Sequence, residues 1–222
     1  MNDRKPVRVI AEVGVNHNGD LDIARKLIDI AREAGADMVK FQMYSAERIA
    51  TDRARKASYQ RGGWSDKESQ LELLKRLELP PGDYAELFRY CGRKGIDCIA
   101  TAFDTESVKF LVELGQLCFK VPSGEITNLP YLRYLGSYGL PVYLSTGMAT
   151  MLEVSNAVQA LETAGTLRKQ ITVLHCTSVY PAPFDEINLL AMPGLRETLK
   201  TAVGYSDHSM GIELAIAAVA LG

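Results

Sequence analysis

A lysine inside an apolar run is costly unless a charge or a ligand meets it, and this chain has two: Val39-Lys40-Phe41-Gln42 and Cys118-Phe119-Lys120-Val121. A third run, Val9-Ile10-Ala11-Glu12, carries a carboxylate, and the second lysine run breaks into the polar turn Pro122-Ser123-Gly124-Glu125. Other apolar runs end on Thr101, on Ser145 with Thr146, on His175 with Thr177 and Ser178, and on Ser206-Asp207-His208. Two ammonium groups with several hydroxyls suit a phosphate or carboxylate, because lysine supplies a point charge and the hydroxyls supply donors. Helix N-termini following Ser123 and Thr146 are expected to add backbone donors. The competing reading of each lysine is an internal ion pair, with Glu12 and Glu125 as available partners. The chain has 3 histidines, His17, His175 and His208, and all fall among these polar ends. Any one alone reads as a satisfied loop or core residue; together they point to a site. Cys176 has no second thiol or base at a known spacing and reads as core packing.

The elements that must position these groups repeat along the chain. Residues 7–14 predict a strand, Asp20 a helix cap, and Ile23, Leu27, Ile30, Ala31 and Ala34 an amphipathic helix closed by Gly35. Residues 38–42 give the next strand. Residues 43–64 are polar and basic without a period and read as a long loop fit to be a lid or substrate wall. A capping box is expected at Ser65-Asp66-Lys67-Glu68, ahead of a packing stripe of Leu71, Leu74 and Leu77. Further strands are predicted at 96–103, around Lys120, and at 142–144, 171–174 and 201–205. Between them lie helices after Pro80-Pro81-Gly82, from Asp104, from Asn128-Leu129-Pro130, after Thr150 with Glu153, over 187–199 and over 211–221.

Seven strand-then-helix units, with no composition break marking a linker, predict an α/β fold of the (β/α)8 TIM-barrel type in one domain, residues 1–222. A doubly wound open sheet is the alternative, but Glu12-Val13-Gly14-Val15-Asn16 is not the glycine-rich phosphate turn it would carry. In such a barrel the strands' carboxyl ends form the site, which is where the polar residues fall. Lys plus Arg is 25 against 27 for Asp plus Glu, so nothing points to nucleic acid or an anionic membrane as partner. The cysteines, 4 in number, lie in apolar contexts without a CxxC pair, and no long apolar segment or leader precedes the first strand; a cytoplasmic, reduced protein is expected.

The segments Ile10-Ala11-Glu12-Val13-Gly14-Val15-Asn16-His17-Asn18-Gly19, Lys40-Phe41-Gln42, Phe119-Lys120-Val121-Pro122-Ser123-Gly124-Glu125, Leu144-Ser145-Thr146-Gly147-Met148, His175-Cys176-Thr177-Ser178 and Gly204-Tyr205-Ser206-Asp207-His208 together resemble the catalytic barrel of the sialic acid synthase family. That resemblance implies condensation of phosphoenolpyruvate with an N-acylated amino sugar of the mannosamine type. A nine-carbon 2-keto acid forms and phosphate is released. The implied cofactor is a divalent metal, often manganese, with magnesium as the other candidate. By position, Lys40, Lys120, Ser123, Ser145 and Ser206 would hold phosphoenolpyruvate with Thr101 nearby, and Glu12 and Glu125 would be the acid/base pair. His208 would be a metal ligand, and Asn16, Gln42 and Tyr180 would lie near the sugar. Ala102 stands where the family commonly has proline. The acceptor stays open between plain N-acetylmannosamine and its 2,4-diacetamido-6-deoxy relatives.

Two other readings stand beside this one: a class I aldolase-type barrel with a Schiff base on Lys120, and a binding remnant without turnover. After the seventh unit the chain stops at Ala220-Leu221-Gly222, where each earlier repeat begins a strand. The expectation is therefore a truncated barrel without its eighth strand. By the resemblance it would also lack a second metal-binding histidine and the small C-terminal domain that covers the site in family dimers. Such a chain would keep the phosphoenolpyruvate subsite, be inactive alone, and have its open strand edges closed by a neighbouring chain or added segment.

Overall fold

Each apolar run becomes a parallel strand, and each amphipathic stretch after it the helix that returns the chain. The computed structural model describes residues 6–56 and 68–222. These fall into two units, residues 8–116 and residues 117–222, the latter with residues 6 and 7. Among the described residues there are seven strands, all paired in parallel, in one sheet of three and one of four.

The first unit holds β1 (Ile10–Gly14), α1 (Leu21–Glu33), β2 (Met38–Met43), α2 (Ala46–Ile49), α3 (Gln70–Leu77), α4 (Pro81–Lys94), β3 (Asp97–Ala102) and α5 (Thr105–Glu113), with sheet order β1-β2-β3. β2 is central and buried on both faces, the reason its apolar run is continuous. Asp20 caps α1 by accepting from the amides of Asp22 and Ile23 at 2.8 and 2.9 Å. The buried face of α1 is Ala24, Ile28 and Ala31; Ala31 belongs to the expected stripe, the other two lie one position along from its Ile23 and Leu27, and Ile30 is 60% exposed. The long loop expected at 43–64 includes the single helical turn α2. The capping box expected at 65–68 lies outside the described residues but for Glu68, which binds Lys56 and Arg76. The box that starts α3 is Ser69 with Glu72, whose side chains and amides bond reciprocally at 2.7 and 3.2 Å.

The second unit holds β4 (Phe119–Val121), α6 (Leu129–Gly136), β5 (Val142–Ser145), α7 (Met151–Ala164), β6 (Ile171–Cys176), α8 (Ala191–Leu199), β7 (Ala202–Ser206) and α9 (Glu213–Ala220), with sheet order β4-β5-β6-β7. α6 and α7 meet at Gly136, where a Cβ would stand 2.6 Å from the Leu161 carbonyl oxygen. Thr150 and Glu153 form the expected box on α7. α8 is shorter than the 187–199 expected. Pro193 lacks an amide hydrogen and must stand in a first turn, so the helix begins only at Ala191.

Candidate functional site

In the first unit, Glu12 on β1 and Lys40 on β2 are register partners, so both side chains project from one level of the sheet, and they form an ion pair. The internal pair that the sequence left open for Lys40 is the one that forms. Lys40 is 9% exposed while the Glu12 side chain is 47% exposed, so the pair has a buried end and an open end. A bulge between Glu12 and Gly14 shifts the ladder. Gly14 has φ +54°, and a Cβ on it would lie 3.0 Å from Glu12 Oε1 and 3.5 Å from Gln42 Nε2, so the carboxylate and the amide converge on a glycine. Gln42 pairs in register with the buried Thr101, and its backbone carbonyl accepts from the Tyr84 hydroxyl at 2.5 Å. Asn16 is exposed in the turn after β1.

His17 does not belong to an open rim. It is fully buried, its ring 6.2 Å from that of Phe41, and its Nδ1 accepts from the Gly19 amide at 3.0 Å. Burial holds its pKa below the ordinary value.

In the second unit, Lys120 on β4 donates from Nζ to its neighbour's carbonyl, Val121 O, at 3.1 Å. Ser123–Glu125 is a single 3-10 turn, and Glu125 Oε2 accepts from Asn128 Nδ2 at 2.7 Å. The helix N-termini expected after Ser123 and Thr146 are not formed. The first position starts only that turn. Thr146 spends its amide and hydroxyl on Leu174 O, at 3.0 and 3.1 Å, and α7 starts at the Thr150 cap. Ser145 is 2% exposed at the end of β5, and its hydroxyl has no hydrogen-bond partner among the described residues. A buried hydroxyl of that kind is a ready donor for a ligand.

Gly147, with φ +52°, is where three strand ends meet. A Cβ there would fall 2.6 Å from Ser123 Oγ and 2.7 Å from Ser178 Oγ. Ser178 was visible in the sequence only as one hydroxyl among many. Its closeness to Ser123 depends on how the turns after β4, β5 and β6 pack, which no spacing encodes.

The ends of β6 and β7 interlock through His208. Its Nδ1 lies 2.7 Å from Thr177 O, so that nitrogen carries a proton, and in the neutral ring the lone pair is on Nε2. The Ala182 amide donates to His208 O at 2.9 Å, and the Tyr180 ring lies 4.1 Å from the imidazole. Burial opposes charge on His208, but hydrogen bonds to Cys176 and Thr177 outweigh it and raise the pKa. Cys176 is buried as expected yet is more than packing, since its Sγ is 3.9 Å from His208 Nδ1. Burial raises the thiol's pKa, and hydrogen bonds from His208 and Ser206, the register partner of Cys176, turn the net shift downward. His175 stacks on Tyr205 at 6.0 Å, and burial lowers its pKa.

As ligand for a divalent cation, His208 presents a free Nε2 and fits. Among the described residues, however, no group of three or more His, Cys, Asp or Glu is placed to hold an ion.

Parallel β/α units with lysines, carboxylates and hydroxyls at the strands' carboxyl ends define an α/β protein. The family profile of the NeuB family matches residues 27–222. The chain belongs to that family, the family of the sialic acid synthases. It is 49% identical to the N,N'-diacetyllegionaminic acid synthase of Campylobacter jejuni, over 98% of this chain and 65% of that protein. With the synthase of the same name from Legionella pneumophila the identity is 43%, over 96% and 61%. With human N-acetylneuraminate-9-phosphate synthase it is 36%, over 98% and 60%. A crystal structure of N-acetylneuraminic acid synthetase from Leptospira borgpetersenii superposes with TM-score 0.86 at 34% identity, covering 98% of this chain and 70% of that one. The chain thus spans less than two thirds of the length of these curated relatives. Among the described residues no helix is long and apolar enough to cross a membrane.

Proposed function

We propose that this chain is the phosphoenolpyruvate-condensing part of a nonulosonic acid synthase, built as seven units of a (β/α)8 barrel. The enol carbon of phosphoenolpyruvate attacks the aldehyde of an N-acylated mannosamine-type sugar, water adds to the resulting cation, and phosphate leaves. The observation that carries the reading is the likeness to two N,N'-diacetyllegionaminic acid synthases, and it favours a 2,4-diacetamido-6-deoxy sugar as acceptor.

Within the first unit, Lys40 is assigned to the anionic substrate, Glu12 to proton transfer, Gln42 and Asn16 to the sugar, and Thr101 to the lining. Lys40 is buried and Glu12 open, which suits a fixed charge beside a group that must exchange protons. Within the second unit, Lys120, Ser123, Ser145 and Ser206 are assigned to phosphoenolpyruvate, and Ser178 joins Ser123 through their approach at Gly147. Glu125 is the second acid/base group, and Tyr180 borders the sugar. His208 is one ligand of a divalent metal, manganese or magnesium, which when bound supplies a Lewis acid for the sugar carbonyl.

Phosphate release is the test, with phosphoenolpyruvate and a panel of N-acetylmannosamine and its diacetamido relatives, with manganese and after chelation. Release with the diacetamido sugar, lost on chelation, is expected of the assembled enzyme, in which a neighbouring chain or added segment closes the strand edges. A stable adduct on Lys120 after borohydride treatment with a keto acid would replace this reading by a Schiff-base one.

A further inference from the structure

Asn128 makes two contacts with opposite ends of one amide. Its Oδ1 accepts from the Tyr131 amide at 3.3 Å and caps α6, and its Nδ2 donates to Glu125 Oε2 at 2.7 Å. Its backbone amide adds a bond to Glu125 O at 3.0 Å. Asparagine, aspartate and serine cap helices about equally well, so the cap alone does not call for an amide. The second contact favours one, because asparagine puts the helix acceptor and the carboxylate donor on two separate atoms, the donor a bond further from the backbone than the single oxygen of serine. The two partners also set the amide's orientation: reversed, it would turn oxygen toward carboxylate and NH2 toward N–H.

Glu125 needs such a hold. It is half-buried at the end of a three-residue turn, and a glutamate there has three rotatable bonds to fix. A charge-assisted bond from a residue that is itself tied to a helix transfers the rigidity of α6 to the carboxylate. Aspartate at 128 would keep the cap and set a second negative charge against Glu125. Serine would keep the cap with its one oxygen, a bond short of the position from which Nδ2 reaches Glu125.

We propose that Asn128 is the positioning residue of Glu125, selected over the equally good caps because it also orients the acid/base carboxylate; this rests on the reading of Glu125 given above. The variants N128S, N128D and N128A separate the two roles. With N128S and N128D, kcat is expected to fall roughly 10-fold to 100-fold, the cost of misplacing a reacting group by a fraction of an ångström to an ångström. The KM for phosphoenolpyruvate and the thermal midpoint should stay near the parent's. N128A, which loses the cap too, should also lose thermal midpoint. In an E125Q background N128S should cost nothing further. Loss of kcat that only tracks loss of thermal midpoint across the three variants overturns the proposal, as does an unchanged kcat in N128S while E125Q is inactive. Full turnover by E125Q would instead strike the acid/base reading, and the positioning role would fall with it. A readout independent of turnover is the Asn128 side-chain amide resonance, expected downfield in the parent and shifted upfield in E125Q. An unmoved resonance rules the contact out.

Discussion

Gly147→Ala puts the convergence of the strand-end turns to a quantitative test. The added Cβ would stand 2.5 Å from Ser123 Cβ, 2.6 Å from Ser123 Oγ and 2.7 Å from Ser178 Oγ, all below any real Cβ contact, and it would be attached to a backbone at φ +52°. The left-handed conformation costs a non-glycine residue about 1–2 kcal/mol. Relief of overpacking costs a further 1–3 kcal/mol or so. The sum of about 2–5 kcal/mol corresponds to a fall in thermal midpoint of roughly 4–20 °C for a chain of this size. The two hydroxyls must also move apart, so phosphoenolpyruvate binding measured by titration calorimetry should weaken at least about 10-fold, the worth of one displaced hydrogen bond to a charged group. Adding Ser123→Gly removes two of the three contacts, and the double variant should recover part of the midpoint without recovering the affinity. A Gly147→Ala protein that melts within about 1 °C of the parent and binds phosphoenolpyruvate equally well would refute the packing argument.

Lys40→Ala and Lys120→Ala should each weaken phosphoenolpyruvate binding strongly while the protein stays folded; calorimetric titration checks this, and parental affinity in both would remove the anion-site assignment. Glu12→Gln and Glu125→Gln should bind the ligand yet lose turnover by about 10² to 10⁴, read as phosphate release. Buried His17 gives a pH prediction. Its folded pKa lies below 6.5, so as pH falls past 6.5 the unfolded chain takes up the proton first and stability drops toward the folded pKa. The carboxylates held low by their partners, such as Glu68 and Glu162, act below their ordinary 4.5, while in the same window His175, lowered by burial, adds to the loss and His208, raised, opposes it. The parent should therefore lose thermal midpoint between about pH 7.5 and about pH 5.5, and His17→Gln should lose less; equal losses would show that His17 is not the group responsible.

The local elements and the identities of the reactive groups were legible along the chain. Asp20, Asp104, Asn128 and Thr150 cap the helices they announce, because a cap is satisfied within three residues of itself. Lys40 and Glu12 were legible as strand-end charges, since an apolar run tolerates a charge only at a paired or functional place. The start of α8 was hidden, because 187–199 carries a helical pattern throughout and only Pro193 argues for the later start. Which groups meet was settled by packing between elements. His17 and His208 look alike in sequence, yet one is sealed beside Phe41 and the other is held by Thr177 with its second nitrogen free. The lysine at 40 meets Glu12 because a parallel register sets them side by side, and Ser123 and Ser178 both close on Gly147 because that residue has no Cβ. Such contacts join positions tens of residues apart through ladder register and turn packing, and a linear pattern carries neither.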